Sequence, residues 1–321
     1  MMMFELSVAV RRELSISRTR LTHARSFSSI LSFETFKSSK AVEPPTKSLV
    51  CLHGILGSKK NWRTPCNMFT KSFPQFHAVA IDHRGHGLSG STQPGQHTVE
   101  SCANDVLRTL KHHDLPAVFR DAQPTILCGH SYSGKVVLSV LDVLQRENST
   151  LPEHVWILDS MPGHYDLQQD ASHQNSVSGI IGTIMGLPAE FESKAWVEDN
   201  LKSKGIPKSV VDWLSTNIIP VDNSKAFRYS FDIKTVKPLF DDFCHLSMWD
   251  FLETYNGSAN IHFIRAGKNS AWNQETLDRF AELSAKNNKI HLYTMPHVGH
   301  WLHAEDPKGV LDIIATHSGV K

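Results

Sequence analysis

The segment Gly129-His130-Ser131-Tyr132-Ser133-Gly134 decides the fold of this chain. An apolar run, Pro124 to Cys128, precedes it, and the residues from Lys135 to Leu141, which can continue as a helix, follow it. A serine with a small residue two positions away on each side, between a strand and a helix, is typical of the strained turn called a nucleophile elbow. Both such neighbours of Ser131 are small, although one is a serine where a glycine is usual. The segment therefore predicts a nucleophilic serine at the end of a strand.

Strand and helix patterns alternate on both sides of this turn. Besides the run before the elbow, short apolar runs occupy residues 48–52, 76–82, 154–159, 261–265 and 289–293, and helical patterns occupy 61–72, 98–113, 274–286 and 307–316. Such alternation predicts a mostly parallel central sheet with helices on both faces, the α/β class. Ligands bind at the carboxyl ends of the strands of such sheets, where the elbow lies.

The chain of 321 residues divides into three parts. Residues 41–160 and 256–321 carry the α/β pattern and form the predicted core. Residues 161–255, between two predicted strands, show helical patterns, frequent aromatic residues and no convincing strand, which predicts an inserted helical cap over the strand ends. Residues 1–40 are set apart by their composition.

This first segment is basic and rich in serine. It holds five Arg and two Lys against three Glu, a net charge of +4, and it lacks a continuous apolar block. An Arg-rich, Ser-rich and acid-poor leader is typical of a mitochondrial or plastid transit peptide, whereas a secretory signal needs an apolar stretch. We expect a mitochondrial protein, with a plastid location or a disordered basic tail on a cytoplasmic protein as the alternatives.

Composition excludes several other classes. The net charge of +1 argues against a nucleic-acid binder, which carries concentrated basic surface. No stretch approaches the roughly 18 apolar residues that a membrane-spanning helix needs. The chain has five Cys without a C-x-x-C pair, which favours reduced thiols over a disulfide framework. A protein partner is not indicated by the sequence.

Three histidines near the C-terminus compete for the role of base, since in the chain order of this fold the base follows the last strand. They are His297, His300 and His303. We favour His300, because the flexible Gly299 lets its loop fold back toward the elbow. His303 is expected to begin a helix, and His297 to be a loop residue. Their spacing suggests a metal, but no carboxylate or Cys cluster accompanies them, so no metal is predicted.

The acid that orients the base is not in its usual place. The loop 265–272, after the strand before the last, contains no carboxylate. The best substitute is Asp159, which ends the strand after the elbow helix and can reach the same imidazole from the neighbouring position. Asp232, within the presumed cap, is the alternative acid.

Two backbone N–H groups are expected to form the oxyanion hole. One is that of Tyr132, directly after the nucleophile, and the other is that of Ile55, in the loop after the first strong strand. His53 is expected to be a structural turn residue. The segment 82–89 contains Gly-x-Gly but lacks the remainder of a dinucleotide fingerprint, so it is interpreted as a tight turn with an Arg84–Asp82 ion pair, and no cofactor is predicted.

Together, these motifs resemble the alpha/beta-hydrolase superfamily over residues 47–317. The segments 52–62 and 299–307 are similar to those of the abhydrolase-domain-containing protein eleven group of mitochondrial proteins and of related bacterial small-ester hydrolases. That group has a strand-end Asp-x-x-Pro step, matched at Asp159, and a Gly-Asn-Ser step, matched at Asn269 and its neighbours. This chain has Tyr132 and Ser133 where the group usually has Met and Gly. We expect the Ser133 side chain to be tolerated, and the Tyr132 phenol beside the nucleophile to alter substrate choice.

The resemblance implies a serine hydrolase that cleaves small-molecule carboxylic esters or thioesters through an acyl-enzyme intermediate, with Ser131, Asp159 and His300 as the triad. Two alternatives stay open. The scaffold also occurs in binding proteins with little turnover, which act as ligand receptors or partner-stabilising subunits, and the same triad serves C–C bond hydrolases.

Overall fold

A seven-stranded sheet forms the centre of the computed structural model, which describes residues 30–90, 95–120, 123–165, 167 and 176–320. The strands lie in the order β1-β3-β2-β4-β5-β8-β9. All neighbours pair in parallel except β1 with β3, which confirms the predicted α/β sheet. The strands are β1 Phe33–Phe36, β2 Lys47–Leu52, β3 Phe76–Ile81, β4 Ile126–His130, β5 His154–Leu158, β8 Asn260–Ala266 and β9 Ile290–Met295.

Twelve helices are described besides a short 3₁₀ helix over Lys59–Trp62. They are α1 Arg63–Ser72, α2 Val99–Leu110, α3 Ala117–Arg120, α4 Tyr132–Arg146, α5 Val177–Met185, α6 Lys194–Ser203, α7 Lys208–Ser215, α8 Ile233–His245, α9 Trp249–Thr254, α10 Gln274–Lys286, α11 Leu302–Glu305 and α12 Pro307–His317. Buried residues of α2, α4 and α10 share one apolar cluster with the sheet, and those of α1 and α12 share the other. The sheet is therefore covered on both faces.

The central strands are buried on both faces, and their sequences reflect this. Every residue of β3 and β4 is buried. A strand covered on two sides carries a continuous apolar run rather than an alternating one, which is why these strands were predictable from short runs. Their register sets Cys51 beside Cys128 and Cys128 beside Trp156. None of the five cysteines, all of which are buried and within the described ranges, forms a disulfide.

The sheet begins earlier than the sequence indicated. Strand β1 lies within the first 40 residues, which were set apart as a leader or tail, and it pairs antiparallel with β3. The boundary at residue 40 is therefore wrong. A four-residue edge strand inside an Arg- and Ser-rich segment gives too short an apolar pattern to stand out. Residues 1–29, which carry most of the predicted transit peptide, lie outside the described residues.

The described part of the segment 161–255 contains helices α5 to α9 and also a small antiparallel hairpin. The hairpin joins β6 Ile218–Pro220 to β7 Phe227–Tyr229. The expectation of no strand in this segment was therefore wrong, because strands of three residues are shorter than the window in which alternation can be recognised. Helix α8 packs against α2 and α4, which connects the segment to the core beside the elbow.

The turn after β3 is held by two ion pairs that differ from the predicted Arg84–Asp82 pair. Arg84 Nε instead donates to Asp105 Oδ2 of α2 at 2.7 Å, and Asp82 pairs with the ammonium of Lys59. Asp82 also accepts from the backbone N–H of Leu88 at 3.0 Å. The prediction was wrong because both residues find their partners in other elements, which a local sequence pattern does not reveal.

Candidate active site

Ser131 occupies the turn between β4 and α4 with φ 54° and ψ −119°, in the left-handed region that costs a non-glycine residue energy. The turn is tight enough to require its glycines. A Cβ at Gly129 would lie 2.3 Å from the carbonyl oxygen of Ser133, and one at Gly134 would lie 2.4 Å from Ser160 Cβ. The backbone thus has the strained strand-to-helix geometry predicted from the sequence.

His300 lies beside this serine. Its Nε2 is 3.0 Å from Ser131 Oγ, and its side chain is 33% exposed. The other two candidate histidines are elsewhere: His297 is exposed, and His303 belongs to α11 and stacks on Trp62 with ring centroids 4.9 Å apart. Of the three, His300 is the one that the structure brings to the serine.

Asp159 lies on the other side of the same imidazole. Its Oδ2 is 2.7 Å from His300 Nδ1, and its side chain is fully buried at the end of β5. Asp232, the alternative, caps the N-terminus of α8, where it accepts from the Lys234 N–H at 3.1 Å and from Thr235 Oγ1 at 2.9 Å. The structure therefore joins Asp159, and not Asp232, to His300.

The loop after β8, where other members of this fold carry the acid, supplies hydrogen-bond donors to Asp159 instead. Asn269 Nδ2 donates to Oδ2 at 2.7 Å, and Trp272 Nε1 donates to Oδ1 at 2.8 Å. The N–H of Ala266 donates to Oδ1 at 2.9 Å. These donors compensate the burial of a charged carboxylate. No role for Trp272 was predicted, although an indole in the loop that lacks a carboxylate was the available signal.

The N–H groups of Ile55 and Tyr132 remain available at the proposed oxyanion position. Neither has a hydrogen-bond acceptor among the described residues, and both residues line the cavity that contains Ser131. The Gly54 backbone approaches the elbow so closely that a Cβ there would lie 3.1 Å from His130 Nδ1 and 3.3 Å from Ser131 Cβ. This close approach brings the loop of Ile55 next to Ser131.

The Tyr132 side chain is packed away rather than projecting freely into the cavity. It is 1% exposed, its hydroxyl lies 3.3 Å from Cys102 Sγ of α2, and burial raises the pKa of its phenol well above the ordinary value. The ring contacts His83 and Phe243, with centroids 5.6 and 5.7 Å away. The phenol therefore connects α4 to α2 and α8, and only part of it borders the cavity.

Ser133, which replaces the usual glycine, uses its hydroxyl internally. Oγ donates to the carbonyl oxygen of His53 at 2.5 Å and accepts from His83 Nε2 at 2.6 Å. The side chain is fully buried, and its polar atom is satisfied. The serine is thus accommodated by partners at the carboxyl ends of β2 and β3.

His130, the residue before Ser131, contacts His300. Its Nε2–H donates to the carbonyl oxygen of His300 at 2.8 Å, and its ring lies 4.3 Å from that of His303 between centroids. Burial, together with the neighbouring His303 and His300, holds the pKa of His130 well below its usual range, so the ring is neutral. The sequence analysis gave this residue no role.

A cavity of about 960 Å³ opens above these residues at the carboxyl ends of the strands. Seven Tyr, Trp and Phe side chains line it, namely Tyr132, Tyr165, Trp213, Phe240, Phe243, Trp272 and Trp301. Asp159 is the single carboxylate among the described lining residues, and its charge is directed to His300. The cavity thus combines an apolar surface with polar side chains, which include Lys268 and Asn273 besides those near the serine, and such a mixture is usual in a small-molecule site.

Lys135 lies at the side of this cavity with its ammonium buried. Nζ donates to the carbonyl oxygens of Phe243 and Leu246, at the C-terminal end of α8, at 2.7 Å each. Burial lowers the pKa of Lys135 to about 7. The side chain therefore connects helix α4, which follows Ser131, to the segment 161–255.

One group with the spacing of metal ligands occurs in the described chain, His112, His113 and Asp114, and none of the three lines the cavity. No described helix combines the length and apolar character that crossing a bilayer requires.

Comparison with known proteins agrees with this geometry. The family model described as "Alpha/beta hydrolase family" matches residues 49–313. The chain belongs to the alpha/beta-hydrolase family. A relative named putative esterase/lipase, from Haemophilus influenzae, is 22% identical over 287 residues, which cover 89% of this chain and 87% of the relative. The sn-1-specific diacylglycerol lipase ABHD11 of Mus musculus is 22% identical over 272 residues, covering 84% and 80%.

A solved structure titled "Marine microorganism esterase" has the same fold, with a TM-score of 0.69, 20% sequence identity, and coverage of 89% of this chain and 98% of that one. These relatives confirm the resemblance to the abhydrolase-eleven group and to bacterial esterases. They place this alpha/beta hydrolase among proteins of esterase and lipase type.

Proposed function

We propose that this alpha/beta hydrolase is a serine hydrolase that cleaves carboxylic esters, and by the same chemistry thioesters, through an acyl-enzyme intermediate. One observation carries the proposal. Ser131 Oγ lies 3.0 Å from His300 Nε2, and His300 Nδ1 lies 2.7 Å from Asp159 Oδ2, so nucleophile, base and acid form one hydrogen-bonded chain.

In the proposed first step, His300 Nε2 accepts the hydroxyl proton while Ser131 Oγ bonds to the acyl carbon. The carbonyl π electrons move to the oxygen, and the N–H groups of Ile55 and Tyr132 donate to the resulting oxyanion. When the tetrahedral intermediate collapses, the bond to the leaving alkoxide or thiolate breaks, and the imidazolium returns its proton to that group. Water then repeats the sequence on the acyl-enzyme and releases the acid.

Asp159 has the role of orienting and charge-stabilising group. It accepts from Nδ1–H, which selects the tautomer whose Nε2 lone pair faces Ser131, and its negative charge stabilises the imidazolium. The donors from Ala266, Asn269 and Trp272 satisfy the oxygens of the carboxylate in its buried position. No metal or cofactor has a part in this scheme.

The proposed substrate is an uncharged small-molecule ester with apolar character. Residues 161–255 act as a cap, since their described part supplies Trp213, Phe240 and Phe243 to the cavity. Aromatic walls favour the burial of hydrocarbon at about 25 cal/mol per Å². The names of the relatives, which include esterases and a diacylglycerol lipase, support this substrate class.

For residues 1–29 we propose a transit peptide, with the mitochondrion as destination and the plastid as alternative. Its support is the composition of the leader, rich in Arg and Ser and poor in acids. A fluorescent fusion of the full chain, compared with one that begins at residue 30, tests this. Equal distribution of the two fusions contradicts it.

Pre-steady-state hydrolysis of p-nitrophenyl esters tests the proposed reaction. A burst of p-nitrophenol equivalent to the enzyme, absent in Ser131→Ala, is expected because an acyl-enzyme forms faster than water cleaves it. Turnover of an ester panel no faster than that of Ser131→Ala contradicts the proposal and favours a binding protein. Faster cleavage of a vinylogous diketone than of any ester assigns the site to C–C bond hydrolysis instead.

A further inference from the structure

The loop that carries the proposed oxyanion donor Ile55 contains a strained residue, Leu56, whose φ is 61°. Both peptide groups of Leu56 are held by side chains from other parts of the chain. Its N–H donates to His86 Nε2 at 3.1 Å, and its carbonyl oxygen accepts from Asn217 Nδ2 at 3.0 Å. Positive φ at a leucine persists only where the surroundings over-determine it.

Asn217 belongs to the cap. It lies between α7 and β6, is 1% exposed, and is fixed by its own backbone, because its N–H donates to Leu214 at 3.0 Å and its carbonyl accepts from Ser230 at 2.7 Å. Within the described chain, its amide is the one donor from residues 161–255 that hydrogen-bonds to residues 53–57. Among the hydrogen bonds of the described residues, the cap therefore reaches this loop through a single side chain.

The direction of the Ile55 N–H follows from the same turn. The preceding carbonyl oxygen, that of Gly54, accepts from Gly57 N–H at 3.0 Å and from His53 Nδ1 at 2.8 Å. Since a trans peptide points its C=O and N–H in opposite directions, these bonds aim the Ile55 N–H at the cavity. Leu56 connects Ile55 to Gly57, so a change of its dihedrals would rotate the donor away from the nucleophile.

We propose that Asn217 is a positioning residue for the oxyanion hole, through which the cap holds Leu56, and hence the Ile55 N–H, in the catalytic orientation. This inference rests on the proposed function, because it assumes that Ile55 donates to an oxyanion. The hole is complete only while the hairpin of the cap keeps Asn217 within reach of Leu56. Asn217 itself touches neither the substrate nor the nucleophile.

Replacement of Asn217 by Ala or Asp removes the donor, and Asp does so without changing side-chain shape. Asn200→Ala and Asn200→Asp are the matched controls, because Asn200 Nδ2 of α6 donates to the Trp196 carbonyl oxygen at 2.8 Å, entirely within the cap. Each pair of variants loses the same kind of bond. Thermal unfolding of all four shows which of them fold.

Steady-state kinetics and inhibition by a trifluoromethyl ketone give the expected signature. We expect kcat of the Asn217 variants to fall about 10-fold to 100-fold, less than the roughly 100-fold to 1000-fold that deletion of an oxyanion donor costs. KM should stay near that of the wild type, whereas the inhibition constant of the ketone, whose adduct carries an oxyanion, should rise with the loss in kcat. A general loss of fold would lower the fraction of active enzyme and leave the inhibition constant of the ketone unchanged.

Amide hydrogen exchange gives a second readout that does not depend on turnover. Residues 54–57 should exchange faster in Asn217→Ala than in Asn200→Ala, because Leu56 loses one of its two restraints. Equal kcat and ketone inhibition in the Asn217 and Asn200 variants, or unchanged exchange at residues 54–57, overturns the proposal. If the wild type cleaves no ester faster than Ser131→Ala does, the proposed function fails, and the exchange experiment still decides whether Asn217 holds the loop.

Discussion

His300 Nδ1 lies 2.7 Å from Asp159 Oδ2, although the two residues are 141 positions apart in the chain. Asp159 ends β5, the strand beside the nucleophile strand, whereas the loop after β8 supplies only neutral donors to it. The proposed acid thus lies one strand away from the loop after β8, and that loop holds Asp159 in place. The ends of β4 and β5 meet the imidazole of His300, which follows β9.

Asp159→Asn is expected to lower kcat about 1,000-fold to 10,000-fold, because an amide cannot stabilise the imidazolium or select its tautomer. The measurement is hydrolysis of p-nitrophenyl acetate or butyrate near neutral pH. Asp232→Asn is the matched control, since the amide oxygen can still cap α8, and its kcat is expected to stay within about threefold of the wild type. An Asp232→Asn variant as inactive as Asp159→Asn would transfer the acid role to the cap.

The Gly129→Ala variant is expected not to fold, or not to react at Ser131 with a fluorophosphonate label. The reason is that the new methyl group would lie 2.3 Å from a backbone oxygen that cannot move aside. Gly182→Ala, in helix α5, is the matched control. No atom lies within 4 Å of the position of its Cβ, so the exchange should stabilise the protein by about 0.5–1 kcal/mol through helix propensity. Differential scanning calorimetry checks both, and a Gly129→Ala protein of wild-type stability would be incompatible with the described elbow.

Stability is expected to fall in mild acid because several histidines are buried in the neutral form. Burial lowers the pKa of His86, His262 and His303 to about 3 each, from 6.5. At a pH between these two pKa values, each of the three histidines binds a proton in the unfolded chain but not in the folded chain. The free energy of unfolding therefore falls as pH drops below 6.5, by of order 2 kcal/mol per histidine at pH 5.

Urea unfolding at pH 7.5 and pH 5 measures this loss as a fall in the midpoint. His262→Gln should diminish the fall, whereas His297→Gln, at an exposed position, should leave it as in the wild type. A midpoint that is equal at the two pH values would contradict the neutral buried histidines.

Lys135 is expected to make stability depend on pH above neutral pH, whereas the histidines act in mild acid. Burial lowers its pKa to about 7 in the folded protein from 10.5, so between these values the unfolded state binds more protons. The contribution of Lys135 to the free energy of unfolding therefore rises from pH 7 toward pH 10, as the cost of burying its charge disappears. The stability of the wild type relative to Lys135→Met should increase between pH 6 and pH 9. The exposed Lys286→Met is the control, and a constant difference for Lys135→Met would show that the folded ammonium does not titrate in this range.

Much of the fold and of the candidate site could be predicted, because short stretches of the sequence carry the relevant patterns. Buried parallel strands give short apolar runs, and the elbow needs small residues at fixed positions around Ser131. The proposed base, His300, followed from chain order. Even the unusual position of Asp159 was accessible, because a strand end beside the nucleophile is fixed by topology.

The remainder depended on contacts between distant segments. The sequence left Asp159 and Asp232 both open, and only their partners, His300 and the N-terminus of α8, separate them. The Lys59–Asp82 and Arg84–Asp105 pairs were missed for the same reason. Edge strand β1 and the hairpin of the cap are too short for a periodic pattern, and tertiary pairing stabilises them.

Covalent labelling with a fluorophosphonate, followed by peptide mass spectrometry, tests the central claim most directly. The phosphonyl adduct is expected on Ser131, and it is expected to form at least 100-fold more slowly when His300→Ala removes the base, since the serine hydroxyl is then not activated. Ser131→Ala should abolish labelling while the variant remains folded. Labelling of Ser131→Ala at the rate of the wild type would contradict the assignment of Ser131 as the nucleophile.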